Sequence, residues 1–202
     1  MLNLISEKLT SYLIKKDVVT SDYAEVYIYG FILLLSTTFS SLTVLLLSAI
    51  ICNIFVGFIF LTVMMMLRFF CGGYHCTTYF NCWICTNAIS AATFLIIRFL
   101  PIENFYINCA VLIFAVLSAV YIFINSPIEH ENNPQSPRQR KKNKRISRIF
   151  SVLSATLVTT GFIFLNTSTW FIYFTSVSAA LIVVALLMIT EKIHRRCNNG
   201  YS

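Results

Sequence analysis

Charged residues are scarce in this sequence. Only 11% of its 202 residues are charged, whereas 57% are hydrophobic. An ordinary soluble domain carries roughly 25% charged residues. So few charges cannot cover the apolar surface of a soluble fold of this size. The composition therefore excludes an ordinary soluble domain and indicates a protein that lies mostly in lipid.

Three further absences narrow the possible classes of protein. The long apolar runs contain no Asp or Glu, although intramembrane carboxylates are frequent in proton-coupled transporters. The seven cysteines form an odd count without the spacing of a disulfide framework. A cleavable signal peptide is not predicted either, because about 25 polar and mixed residues precede the first apolar run.

Long apolar runs predict about six transmembrane helices. Residues 26–67 contain no charged residue. Since one span needs about 20 residues, this stretch is expected to form two helices joined by a turn near residues 48–53. Four later runs of similar length are expected to form spans at 79–100, 105–124, 149–165 and 170–189.

The N-terminal residues have a different pattern. Leu2, Ile5 and Leu9 recur at helical spacing among lysines, which predicts a short amphipathic helix on the membrane surface. The expected fold class is therefore an all-α polytopic membrane protein with an interfacial N-terminal helix. One domain, 1–202, is expected to contain an N-terminal segment (1–25), four spans (26–125), a basic loop (126–148), two spans (149–190) and a basic tail (191–202).

The positive charges indicate an orientation. A six-span layout places 14 of the 15 Lys and Arg residues on one side, with only Arg98 near the other. Loops rich in Lys and Arg stay in the cytoplasm. Both termini and the 68–78 interval are therefore expected to be cytoplasmic. Because this rule accounts for the net charge of +7, no nucleic-acid partner is expected.

One segment, residues 68–85, contains the residue types of a reactive site. Its Gly-Gly step at 72–73 allows backbone dihedrals that are closed to other residues. Thr77 or Thr78 is expected to cap the next helix. Cys82 then falls in the first turns of that helix, where the helix dipole favours a nucleophilic thiolate.

His75 is the candidate base for Cys82. The two residues are seven apart, so on one straight helix they would share a face but lie about 10.5 Å apart along the axis. No hydrogen bond spans that distance. The pair therefore requires His75 to lie in the loop and to fold back over the start of the helix.

Other interpretations of this segment stay open. Cys71, His75, Cys76, Cys82 and Cys85 include enough ligands for zinc, but they lack the paired spacing of ordinary zinc sites. Cys82 and Cys85 also form a C-x-x-C motif, although it lies in an apolar helix and not after a strand. A cysteine in a membrane helix is commonly a small packing residue. No metal or other cofactor is expected.

The same segment resembles the AgrB family of accessory gene regulator proteins. These are bacterial membrane cysteine endopeptidases that process the precursor of a cyclic autoinducing peptide. The family's signature is an Arg, a Gly-x-His and a Cys seven residues after the His, here Arg68, Gly73, His75 and Cys82. The length, the multi-span layout and the basic loop are similar too. The resemblance implies that Cys82 is the nucleophile, that His75 is its general base, and that Arg68 and Gly73 support the site.

The resemblance also implies a biological setting, namely quorum sensing in the cell membrane of a Gram-positive bacterium. The substrate would be an AgrD-like propeptide, cleaved through a Cys82 acyl-enzyme and cyclised to a thiolactone or lactone. A homodimer is implied by the family alone. Either the acidic tail of the propeptide or anionic lipid could contact the basic loop residues Arg140, Lys141, Lys142 and Lys144. The alternative from another class is a small peptide transporter or scaffold without covalent chemistry.

Overall fold

The computed structural model describes residues 2–74, 78–101, 103–128, 136–165 and 170–199, and every regular element in these ranges is a helix. The α-helices are α1 (Leu2–Lys15), α2 (Ala24–Ile51), α3 (Ile54–Cys71), α4 (Tyr79–Phe99), α5 (Phe105–Asn125), α6 (Pro137–Leu165) and α7 (Phe171–Asn199). Helices α2 to α7 are long and apolar enough to cross a membrane. The predicted all-α fold with six spans is therefore confirmed.

A tight turn joins α2 to α3 within the predicted region. The Asn53 side chain accepts a hydrogen bond from the Phe55 N–H at 2.9 Å and so caps α3. The Ser48 hydroxyl donates to the Asn53 carbonyl at 2.6 Å. Gly57 lies so close to Ser48 that a Cβ atom added to Gly57 would be 2.4 Å from the Ser48 Cβ. These contacts allow the two helices to pack together directly after the turn.

Helix α7 lies at the centre of the bundle. In its most apolar window 56% of the residues are buried, against 6% for the span that contains α2. It packs against α3, α4, α5 and α6. The Ser176 hydroxyl donates to the Val56 carbonyl at 2.8 Å, which links α7 to α3 by a buried hydrogen bond. Helix α7 thus contacts α3, α4 and the loop after α3, which together with α7 form the site described below.

Two helices extend further than the sequence analysis expects. Helix α6 begins at Pro137, so the expected basic loop of residues 126–148 is shorter. Ser136 and Gln139 exchange hydrogen bonds at 3.3 and 3.2 Å and cap this helix. Helix α7 continues to Asn199 through most of the expected tail, and the Glu191–Arg195 ion pair at 2.9 Å supports this extension.

Helix α1 packs along α2 and coincides with the predicted amphipathic helix. Ser6 and Thr10, small polar residues one turn apart, are its buried positions, while Leu4, Ile5 and Tyr12 are exposed. A helix with this exposed apolar face is suited to the membrane surface. That location stays a prediction.

Candidate active site

A narrow cleft lies near the basic end of the bundle, which we define as the end where α3 and α5 finish and α4 and α6 begin. Its walls come from α3, the loop after α3, α4 and α7, and they include Met64, Arg68, Tyr74, Cys82, Cys85 and Leu187. The space that a water-sized molecule can occupy in the cleft is about 20 Å³, which is room for about one water molecule. Two of the predicted site residues, Arg68 and Cys82, thus share one cavity.

The start of α4 fixes the position of Cys82. Thr78 is the N-cap, as predicted, and its hydroxyl accepts a hydrogen bond from the Asn81 N–H at 3.2 Å. Cys82 is the fourth residue of the helix, and its own N–H donates to the Thr78 carbonyl at 3.0 Å. The Cys82 side chain is half-buried and carries a free thiol. A rigid helix therefore holds this thiol where it borders the cleft.

The Gly-Gly step makes the turn that ends α3. Gly72 has φ 74° and ψ −163°, a conformation that is essentially restricted to glycine. An added Cβ at Gly72 would lie 2.3 Å from the Ile128 carbonyl oxygen. The Ile128 N–H donates to the Cys71 carbonyl at 2.8 Å. The segment after α5 thus packs against this turn, which the sequence analysis does not anticipate.

Beyond the turn, Tyr74 is held from two sides. Its N–H donates to the Leu187 carbonyl of α7 at 3.2 Å, and its carbonyl accepts a hydrogen bond from an Arg68 terminal nitrogen at 2.8 Å. Its ring packs edge-on against His194, with 5.7 Å between ring centroids. The backbone that leads into the predicted base is therefore fixed by α3 and α7. His75, Cys76 and Thr77 lie outside the described residues.

The other thiols have different surroundings. Cys71 is fully buried in the core, whereas Cys85, one turn after Cys82, is exposed and also borders the cleft. The Cys52 thiol donates a hydrogen bond to the Phe94 carbonyl at 3.1 Å. Burial raises the pKa of the Cys52 thiol, although the positive charge of Arg98 opposes this. Of the thiols that the structure describes, only Cys82 and Cys85 lie at the cleft.

The structure does not test the zinc interpretation, because His75 and Cys76 are outside its described ranges. Within those ranges no three His, Cys, Asp or Glu side chains are grouped closely enough to hold a metal ion. The C-x-x-C pair lies within α4, and both thiols are free.

The predicted substrate-binding residues lie apart from the cleft walls. They occupy the first three turns of α6, where their side chains are exposed: Arg140, Lys141, Lys142 and Lys144. Lys141 and Lys142 line a separate shallow groove together with Ile146. The structure therefore places a positively charged helix start at the basic end and outside the lining of the cleft.

The contribution of α7 to the cleft is not predicted from the sequence. Leu187 and Val183 form one wall of the cleft, about 100 residues after Cys82 in the chain. No local sequence pattern predicts such a contact, because apolar residues lie on every face of this central helix. The Ile128 contact with Gly72 is missed because it joins two loop residues that are far apart in the sequence.

Comparisons with known proteins agree with this layout. The sequence model of the family described as "Accessory gene regulator B" matches residues 6–190. An AgrB-like protein of Clostridium beijerinckii is 34% identical over 87 residues, which cover 42% of this chain and 38% of that protein. The chain thus matches well under half the length of this relative, and no solved structure matches it. Because the family match covers nearly the whole chain, including Arg68, Gly73, His75 and Cys82, the chain belongs to the accessory gene regulator B family.

Proposed function

We propose that this protein is a membrane-embedded cysteine endopeptidase that cleaves the precursor of an autoinducing peptide for quorum sensing. Cys82 is the nucleophile and His75 the general base. The observation that carries the proposal is the position of Cys82. Its free thiol borders a cleft at the start of α4, and Tyr74, which directly precedes His75, lines the same cleft and is held there by Arg68.

The reaction follows from these two groups. The Cys82 thiolate attacks the carbonyl carbon of a peptide bond in the C-terminal part of the precursor. His75, which has taken the thiol proton, gives it to the leaving amine, and an acyl-enzyme thioester remains on Cys82. A Cys or Ser of the bound peptide then attacks this thioester, which frees Cys82 and closes a thiolactone or lactone. The thioester conserves the energy of the peptide bond, so no ATP is required.

The cleft favours cyclisation over hydrolysis. Apolar side chains such as Met64 and Leu187 form its walls, and they limit the access of water to the thioester. Cys82 is a better nucleophile candidate than its neighbours. Cys71 is completely buried in the core and cannot reach a peptide without unfolding of the helix end. Cys85 borders the same cleft and is the thiol that an experiment must distinguish from Cys82.

The basic end is proposed to face the cytoplasm and to meet the precursor there. Positive charges on the first turns of α6 are exposed. An AgrD-like propeptide with an acidic tail would be attracted to these charges while its scissile bond lies in the cleft. Arg140, Lys141, Lys142 and Lys144 are the proposed contacts for this tail.

The test is precursor processing in membranes that contain single variants at matched protein levels. We expect Cys82→Ala and His75→Ala to abolish cleavage, because each removes one half of the dyad. Cys85→Ala and Cys71→Ala are the matched thiol controls and should retain cleavage. Processing that survives Cys82→Ala but not Cys85→Ala would assign the nucleophile to Cys85, one helical turn after Cys82. Processing that survives all four variants would favour a transporter or scaffold instead.

A further inference from the structure

Arg68 has a buried hydrogen-bond donor that none of the described residues pairs. The terminal nitrogen of its guanidinium holds the Tyr74 carbonyl at 2.8 Å. Its Nε is buried and has no hydrogen-bond partner among the described residues. A buried charged donor without an acceptor is costly, and such groups in a native protein call for an explanation. Holding the loop explains one nitrogen of Arg68 but leaves Nε unexplained.

The surroundings of Nε indicate what could pair with it. Arg68 and Cys82 line the same cleft, and the other described walls of this cleft bear no carboxylate. Glu191 is the buried carboxylate on α7, and it pairs with Arg195. None of the described residues pairs with Nε, so water or a molecule bound in the cleft is the source of an acceptor that we consider. In apolar surroundings a charge-assisted hydrogen bond to an oxygen atom is strong.

We propose that the Arg68 Nε–H donates to the acyl oxygen of the substrate and stabilises the oxyanion that forms when Cys82 attacks. This inference rests on the proposed function. When the bond between Cys82 Sγ and the acyl carbon forms, the π electrons of the carbonyl move to its oxygen, which becomes the acceptor for Nε–H. When the carbon–nitrogen bond breaks, these electrons return, and the leaving nitrogen takes the proton held by His75. Arg68 keeps its own proton throughout.

In this proposal two nitrogens of the Arg68 guanidinium have different roles. The terminal nitrogen positions the loop before His75, and Nε binds the reacting oxygen. An oxyanion donor must point to the site where negative charge develops and must need no rearrangement during the reaction. The hydrogen bond to Tyr74 restrains the guanidinium plane in this way. The side chain thus couples the geometry of the base-bearing loop to the stabilisation of the transition state.

The free amides at the start of α4 are the rival donors. Thr78 already accepts the Asn81 N–H, which leaves the N–H groups of Tyr79 and Phe80 without helical acceptors. Neither residue lines the cleft, and both side chains are exposed. Arg68 is therefore better placed than these amides to meet an oxygen in the cavity that Cys82 borders.

Two reactions of the same thiol test the proposal. Alkylation of Cys82 by iodoacetamide forms no oxyanion, whereas acylation by 4-nitrophenyl acetate forms one. The purified full-length protein is compared with Arg68→Lys, which keeps the positive charge but lacks Nε, and with Arg68→Gln. Mass spectrometry quantifies both modifications at Cys82. We expect acylation to slow by about 100-fold or more while alkylation changes by no more than about threefold, because one oxyanion donor contributes roughly 100- to 1,000-fold.

Each other outcome overturns the proposal. Equal losses of both reactions would show that Arg68 only maintains the cleft. Unchanged acylation would assign the oxyanion to other donors. Because a variant could also fold poorly, guanidinium ion is added to Arg68→Ala at non-denaturing concentration. It should restore acylation without accelerating alkylation, and the absence of this selective rescue would again contradict the role of Nε.

The same experiment separates this inference from the proposed function. If wild-type protein is acylated and processes the precursor but the Arg68 variants behave like wild type, only the oxyanion role fails. If Cys82→Ala still processes the precursor, the endopeptidase mechanism through Cys82 fails whatever the Arg68 variants do.

Discussion

Replacing Gly72 by Ala should impair processing more severely than replacing Gly73, although Gly73 belongs to the family signature. Gly72 has φ 74° and ψ −163°, a conformation that costs other residues about 1–3 kcal/mol. Its Cβ would also lie 2.3 Å from the backbone oxygen of Ile128. Relieving that overlap requires Ile128 to move and weakens its 2.8 Å hydrogen bond to Cys71, which contributes about 0.5–1.5 kcal/mol.

The two costs sum to roughly 1.5–4.5 kcal/mol against the native turn. Since each 1.4 kcal/mol changes an equilibrium about tenfold, we expect the processing rate of Gly72→Ala to fall at least tenfold. Gly73 also has a positive φ of 143°, but the nearest atom to its added Cβ is Leu187 Cβ at an ordinary 3.6 Å. Gly73→Ala should therefore suffer backbone strain alone and retain more activity.

The assay measures release of the precursor fragment by membranes with matched amounts of each variant. Gly30→Ala is the control, because nothing lies within 4 Å of a Cβ added there, and it should process at the wild-type rate. Circular dichroism of each purified variant reports whether the helices are still folded. A Gly72→Ala protein with wild-type activity, or one more active than Gly73→Ala, would refute the turn geometry described above.

Contacts around the site give three further predictions. In detergent-solubilised protein a maleimide should label the exposed Cys85 quickly and spare the buried Cys71. Cys52 should react slowly below alkaline pH, because burial raises the pKa of its thiol and leaves less thiolate. Labelling of Cys71 as fast as Cys85 would contradict the helix packing. Replacing His194 by Ala should slow processing several-fold, because an aromatic contact such as that with Tyr74 contributes about 0.5–1.5 kcal/mol; an unchanged rate would show that α7 does not position the loop. Charge reversal on the first turns of α6 should weaken precursor binding, which would be measured as a higher KM with unchanged kcat and unchanged topology. The residues to be reversed are Arg140, Lys141, Lys142 and Lys144. Intact processing by this variant would contradict their proposed contact with the acidic tail.

The sequence predicts features that depend on near neighbours in the chain. The absence of charge over residues 26–67 requires two spans, and Asn53 caps the second of them close to the expected turn. Thr78 caps α4 as its residue type predicts, which places Cys82 correctly near the helix start. Each of these predictions rests on one residue type and its local hydrogen bonds or on one apolar run.

Helix α6 shows where composition misleads the sequence analysis. Its first turns are so rich in Lys and Arg that they indicate a solvated loop. Yet Ser136, Pro137 and Gln139 form a helix start, with a capping hydroxyl, proline at the first helical position and glutamine at the third. This local signal is present in the sequence. The high charge density conceals it when hydropathy alone sets the boundary.

The wall of the cleft that α7 provides is not predictable in this way. The hydrogen bond from Tyr74 to Leu187 and the contact of Gly72 with Ile128 join residues far apart in sequence. They depend on how the central helix packs. Because lipid tails are as apolar as the side chains of such a helix, the pattern of apolar residues does not reveal which face contacts other helices. The unpaired Nε of Arg68 likewise becomes apparent only in the folded structure, where a terminal nitrogen of the same side chain pairs with Tyr74.

The central claim is that Cys82 forms a covalent acyl intermediate with the precursor. The most direct test is to mix purified wild-type protein with precursor, quench with acid within the first turnover, and map adducts by mass spectrometry. The account predicts an adduct on Cys82 with the mass of the N-terminal precursor fragment, sensitive to hydroxylamine as a thioester should be. Cleaved precursor with no adduct on Cys82 at any time, or with the adduct on Cys85, would contradict it.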